Sequence, residues 1–269
     1  MTTQSPRKSY STDLSDEEWM LIAPLVAQRP GAGRKRTANI REMVNALLYL
    51  TKTGCQWDML PHDFPDYRHV HYYYRTWTNQ GVWDELLTLL RELGRVIAGK
   101  QPEPTAAILD SQSVKTTGQG DERGYDAGKR VKGRKRHLLV DTVGFILFVF
   151  VTTASLQDRD GGADICDEAD RTLPSLKKIW ADGAYRGTLV EYVQHWYHFA
   201  LEIVTRPANQ RGFQVQPKRW IVERTFAWLN AYRRLSKDYE QTTSSSEAMI
   251  KLAFIRLVLR RIKPALYIF

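Results

Sequence analysis

HLLVDTVGFILFVFVTT, residues 137–153, reads as two strands around a turn at Thr142–Gly144, because β-branched and aromatic residues flank a short polar and glycine break. Its longest apolar run, GFILFVFV at 144–151, falls far short of the roughly 20 residues a membrane-spanning helix needs. Upstream, TAAILDS (105–111) reads as a further strand, and downstream KKIWAD (177–182) and ALEIV (200–204) read as two more. Helices are expected at about 160–172 and 188–198, between and after these strands, with long helices closing the chain. The order β, β, β, α, β, α, β predicts an α/β fold, a mixed sheet covered by helices.

The period is different before residue 100. Ser15 and Glu18 form a capping box ahead of the apolar positions Trp19, Ile22 and Leu25, so a helix should begin near Ser15, shortened or bent by Pro24. Ile40, Met43, Val44, Leu47, Leu48 and Leu50 predict a helix from 40 to 53, with Gly54 as its cap. Prolines and aromatics after it predict a turn and two helices, about 66–78 and 81–94. The aromatics Tyr72, Tyr73, Tyr74 and Trp77 serve as core or as base and sugar contacts. The basic connector RPGAGRKRTAN (29–39) is a solvated loop or a phosphate contact. The expected organisation is a disordered tail over 1–13, a small all-α region over 14–100 for DNA binding or dimerisation, a joint at QPEPT, and the sheet domain over 105–263.

The 269 residues carry a net charge of +9, which favours a polyanionic partner. Residues 1–100 hold 13 Lys/Arg against 11 Asp/Glu, whereas 211–269 hold 12 against 4, so the excess lies toward the C-terminal end. Cys55 and Cys166 form no CxxC pair and read as buried reduced thiols. The first residues lack a signal-peptide core, and the expected location is the cytoplasm, with no membrane partner.

Three acids stand out. Asp110 and Asp182 each follow a short apolar run that ends in a polar turn, and Glu223 opens the stretch WIVERTFAWLNAYRRLSKDYE (220–240), read as one basic helix. Asp158 and Asp160 compete for the second acidic position, their alternative role being to start a helix. Regular elements can hold such carboxylates together rigidly. Carboxylate oxygens suit Mg²⁺, and two ions about 3.5–4 Å apart can both activate an attacking hydroxyl and stabilise a leaving one in phosphoryl displacement. Around them, Lys115, Arg224, Arg233, Arg234, Lys237 and the run Lys129, Arg130, Lys132, Arg134, Lys135 and Arg136 are candidate phosphate contacts. The run has an alternative reading as a solvated loop between the first two strands.

The segments LSDEEWMLIAPL, LLYLTKTGCQWDMLPHDFP, ILDSQSVKTT, GYDAGKRVKGRKRHLLVDTVG, LQDRDG, IWADGAYRG and the 220–240 stretch together resemble, in order, bacterial insertion-sequence transposases of the insertion-sequence-five group, over about residues 12–262. The resemblance implies a ribonuclease-H-like domain whose DDE triad is Asp110, Asp182 and Glu223, all three catalytic and metal-binding, with two Mg²⁺ (or Mn²⁺) per site. It implies binding of double-stranded DNA, at element ends and target, in the bacterial cytoplasm at the nucleoid, by a homodimer or higher oligomer that cleaves DNA and transfers the strand. A nuclease of the same fold and a catalytically silent DNA-binding protein are the rival readings. The related insertion-sequence-four group carries a Tyr, Arg, Glu, Lys signature around the last acid. Arg219 matches its Arg and joins the DNA contacts, but Gln216 and Asn230 stand at the Tyr and Lys positions. The lysine's phosphate role would pass to Arg233, Arg234 or Lys237, or be absent.

Overall fold

A computed structural model of the chain describes residues 7–27, 38–118, 120, 122–204 and 218–266. Four helices come first: α1 (Asp16–Ala27), α2 (Ile40–Thr53), α3 (Tyr67–Asn79) and α4 (Val82–Ile97). Local chemistry sets their ends. The Ser15 N–H donates to Glu18 Oε2 at 2.8 Å and the Glu18 N–H to Ser15 Oγ at 3.3 Å, which is the expected capping box. Asn39 and Asp66 cap α2 and α3 through their side chains. Gly54 takes φ +72° at the end of α2, and a Cβ there would stand 3.0 Å from the Arg233 backbone, so both conformation and contact call for glycine. Of the connector expected at 29–39, only Ala38 and Asn39 lie within the described residues.

The expected disorder of residues 1–13 is corrected over 7–13. Arg7 bridges Asp13 at 2.8 Å and Glu42 at 2.6 Å, and Arg256 donates to the Thr12 carbonyl at 2.7 Å. A polar segment is ordered here because distant side chains satisfy its backbone.

The sheet holds β1 (Ala106–Lys115), β2 (Gly124–Asp126), β3 (Val131–Asp141), β4 (Ile146–Thr153), β5 (Lys178–Ala181) and β6 (Ala200–Ile203). β1 runs antiparallel to β3 and parallel to β5, which is parallel to β6, while β2 and β4 both pair antiparallel with β3. The expected turn at 142–144 joins β3 and β4. The basic run is not a loop: from Val131 it is strand β3, and Arg134, Lys135 and Arg136 lie buried in the middle of the sheet.

Alternation along the strands divides two apolar layers. On one face, Ala107, Leu109, Leu139, Ile179 and Ala181 pack under α5 (Asp158–Thr172) and α6 (Thr188–Trp196). α5 can approach closely because Gly161 lies against the His137 ring, where a Cβ would come within 2.4 Å. On the other face, Ile108, Val140, Ile146 and Val149 meet α7 (Trp220–Asn230), α8 (Thr243–Leu266) and the N-terminal helices in one cluster. The joint at 101–105 is thus a crossing between sheet and helices that share a core. Arg95 of α4 and Asp141 of β3 seal that seam with a buried 2.5 Å ion pair. The helix expected over 220–240 is also corrected: α7 ends at Asn230, a single 3₁₀ turn spans Arg233–Leu235, and the chain then lies beside the end of β1. Among the described residues no helix is long and apolar enough to cross a membrane.

Candidate active site

Register places the two aspartates together. Ile108 of β1 pairs with Trp180 of β5 in parallel, so two residues further along each chain Asp110 and Asp182 stand side by side. Ile108 and Trp180 belong to the α7-facing layer, and the two-residue period points both acids toward α7 as well. Asp182 sits just past the end of β5, where its Oδ1 accepts the Ala184 N–H at 2.9 Å and closes a 3₁₀ turn over Gly183–Tyr185.

α7 brings the third acid. Its face of Ile221, Val222, Thr225, Phe226 and Leu229 is buried, which leaves Glu223 on the exposed side near the sheet ends. Two bonds tie the helix to the β3–β4 turn: Arg224 Nη2 donates to the Val143 carbonyl at 2.7 Å, and Thr225 Oγ1 to the Gly144 carbonyl at 3.0 Å. One turn before Glu223, Arg219 reaches into the site. Its Nη2 lies 3.6 Å from Asp110 Oδ2, 3.5 Å from Asp182 Oδ2 and 3.7 Å from Glu223 Oε1. Three acids distant in sequence converge on one guanidinium.

Burial raises the Asp110 carboxyl to about 6, against the opposing pull of the Ser111 N–H, Arg219 and Lys129, and with Asp182 adding repulsion. Beside it lies a second charged network, on the α5 side. Asp158 Oδ1 accepts from Ser111 Oγ at 2.8 Å and pairs with Lys135 at 2.7 Å, and Lys129 Nζ donates to Ser111 Oγ at 3.0 Å. Asp158 therefore starts α5 and neutralises Lys135, on the face of the sheet away from Arg219. Asp160 is paired with Arg159 at 3.9 Å. Neither joins the three acids around Arg219. The Ser111–Lys129–Asp158 link leaves one signal in the sequence, the two-residue alternation of β1.

The candidate phosphate contacts separate into two sets. Lys115, Lys129, Arg130, Lys132, Arg233 and Lys237 are exposed. Arg134, Lys135, Arg136 and Arg234 are buried and committed, which corrects their expected DNA role. Arg134 pairs with Asp238, Lys135 with Asp158, and Arg234 with Glu240, while Arg136 donates to the Leu235 carbonyl at 2.9 Å. Arg224 lies between the Trp220 and Trp228 rings, 4.6 and 4.5 Å from their centroids. Asn230 is exposed at the end of α7, and Gln216 lies outside the described residues.

Asp110, Asp182 and Glu223 are hard oxygen donors of the kind that hold a divalent cation. Among the described residues no three His, Cys, Asp or Glu side chains already form a metal-ready group, and the positive charge among these acids is that of Arg219.

A family model described as "Transposase DDE domain" matches residues 101–258, and one described as "Putative transposase of IS4/5 family" matches residues 14–87. Curated proteins are similar over part of the chain. The chain is 32% identical over 118 residues, 41% of its length and 78% of the relative's, to "Insertion element IS402 uncharacterized 16.2 kDa protein" of Burkholderia cepacia. It is 25% identical over 130 residues, 45% of its length and 60% of the relative's, to "Putative transposase for insertion sequence element IS402" of the same organism. A third relative, "Uncharacterized protein y4sN" of Sinorhizobium fredii, is 35% identical over 77 residues, 29% of the chain and 62% of the relative. With its sheet, α5 to α7 and all three acids inside a match that covers more than half its length, the chain belongs to the DDE transposases of the IS4/5 family.

Proposed function

We propose that the protein binds the terminal inverted repeats of an insertion sequence and catalyses metal-dependent DNA cleavage and strand transfer, on a ribonuclease-H-like sheet. The observation that carries this reading is the convergence of Asp110, Asp182 and Glu223, each 3.5–3.7 Å from Arg219 Nη2. Carboxylates so crowded repel one another unless a cation stands among them, and a buried one such as Asp110 is the costliest to ionise. The donor set therefore fits Mg²⁺ or Mn²⁺, held by these three residues. When bound, such ions polarise the scissile phosphate and lower the pKa of an attacking water or hydroxyl.

The chain's own residues supply position. Asp110, midway along β1, and Asp182, just past the end of the neighbouring β5, hold the reacting phosphate's place, and Glu223 closes it from α7, whose pose depends on Thr225 and Arg224 gripping the β3–β4 turn. Exposed Lys115, Arg130, Lys132, Arg233 and Lys237 neutralise flanking phosphates. Two or more copies act together, one at each element end, and the same site serves water in cleavage and the freed 3′-hydroxyl in strand transfer.

Asp110→Asn, Asp182→Asn and Glu223→Gln should each abolish Mg²⁺-dependent cutting of an element-end duplex while leaving binding to it within a few-fold of wild type. Metal-dependent cutting that survives any one of these changes removes that residue from the triad. Cleavage without joining of pre-cut ends to target DNA would reduce the activity to that of a nuclease.

A further inference from the structure

Arg219 sits where the acids need a cation, and the chain is built to put it there. It opens α7 directly after Lys218, a non-glycine residue held at φ +71°. That left-handed conformation disfavours a side chain with a Cβ, and it persists only where surrounding contacts compensate. The compensating contact is visible: Lys218 Nζ stands 3.6 Å over the ring of Trp180, on the strand that Asp182 directly follows. The same contact turns the next residue inward, so that the Arg219 guanidinium reaches β1, β5 and α7 at once with only 16% of its side chain exposed. A guanidinium whose task was to grip a phosphate outside the site would face solvent and carry one acid partner or none. This one has three.

We propose that Arg219 is a stand-in cation: it holds Asp110, Asp182 and Glu223 together while no metal is bound, and it must withdraw for a divalent ion to enter. The proposal rests on the reading of these acids as the metal site. Coulomb's law sets the signs. At separations under 4 Å the guanidinium stabilises the three carboxylates against their mutual repulsion, and the same charge repels an incoming dication. Arg219 thus protects the fold in the absence of metal and weakens metal binding. A structural arginine would do the first and not the second. Arg219 is accordingly a positioning residue whose competition with metal sets how much cation the site needs before it is loaded.

The test uses the full chain without DNA. Binding of Mn²⁺ as the probe, followed by electron paramagnetic resonance, is compared in the wild type, Arg219→Gln and Arg219→Lys, with Asp110→Asn marking binding at this site. Thermal unfolding is measured for each in chelator and in excess Mg²⁺. Arg219→Gln should bind Mn²⁺ about tenfold more tightly or better, Arg219→Lys should stay near wild type, and the melting temperature of Arg219→Gln should be lower than wild type in chelator but recover in Mg²⁺. If Arg219→Gln folds only with metal present, that dependence is itself the expected recovery. Unchanged or weaker Mn²⁺ binding by Arg219→Gln, together with an equal loss of melting temperature in both conditions, overturns the proposal and leaves a structural arginine. Absence of any Asp110-dependent Mn²⁺ binding in all variants overturns the metal reading and this inference with it.

Discussion

Arg134 Nη1 lies 3.2 Å from Asp238 Oδ1, and neither side chain reaches solvent. Arg134 also donates to the carbonyls of Glu240 at 2.9 Å and Gln241 at 2.7 Å, so one guanidinium on β3 clamps the chain that leads from α7 into α8. Removing it strands a buried carboxylate. Arg134→Ala should therefore cost about 3–5 kcal/mol in urea unfolding. DNA affinity per folded molecule should stay unchanged, because the guanidinium is buried and bonded within the chain.

Arg130 and Lys132, from the same basic run, should behave in the opposite way. Both are exposed, so alanine at either should shift stability by no more than about 0.5 kcal/mol. Each should also flatten the slope of log Kobs against log salt by about 0.9 for a lost phosphate contact. An unaltered slope in the double variant would place the DNA elsewhere.

Thr225 tests whether the grip of α7 on the β3–β4 turn matters to the site. Thr225→Val keeps the shape, removes the bond to the Gly144 carbonyl and leaves that oxygen without its donor, at a cost of about 1–3 kcal/mol. Since Glu223 rides on the same helix, cleavage rate should fall more than end binding. Parallel loss of the two would show that the tether serves the fold alone.

His137 predicts a pH dependence of stability. Burial pushes its imidazole down to about 4, from an ordinary 6.5. Between those values the unfolded chain holds a proton that the native state does not, so stability rises with pH by about 1.4 kcal/mol per unit and is lost on acidification. Asp110 works against it: burial lifts its carboxyl from 3.8 to about 6, so through that window the native state holds the extra proton and stability falls as pH rises. His137→Gln should remove the first contribution, about 3 kcal/mol between pH 6.5 and pH 4. Asp110→Asn should unmask it. Chemical denaturation at pH 4, 5, 6 and 7 reads both; coincident curves for wild type and His137→Gln would mean the ring is not neutral when folded.

Much of this protein is legible along the chain, because period, capping and turn chemistry act over a few residues. The capping box of Ser15 and Glu18, the strands around Thr142–Gly144 and the position of Asp182 just past a strand all follow from such local rules, whereas the turn expected after Asp110 is absent because pairing with β3 carries β1 on to Lys115. The α7-side direction of both aspartates follows too, once the register of β1 with β5 is known.

Burial of charge is a different matter, since it depends on partners supplied from far away. Nothing between Lys129 and Arg136 tells that Arg134 will meet Asp238, or that Lys135 will turn to the other face and meet Asp158. A strand through the centre of a sheet looks, residue by residue, like a solvated basic loop until its neighbours arrive. For the same reason the motif around Glu223 marks Arg219 as a phosphate ligand, whereas the fold turns it onto three acids. Local sequence sets which groups carry charge and where helices and strands begin; which charges face one another is settled when elements a hundred residues apart pack, because Coulomb energies depend on distance in space and not along the chain.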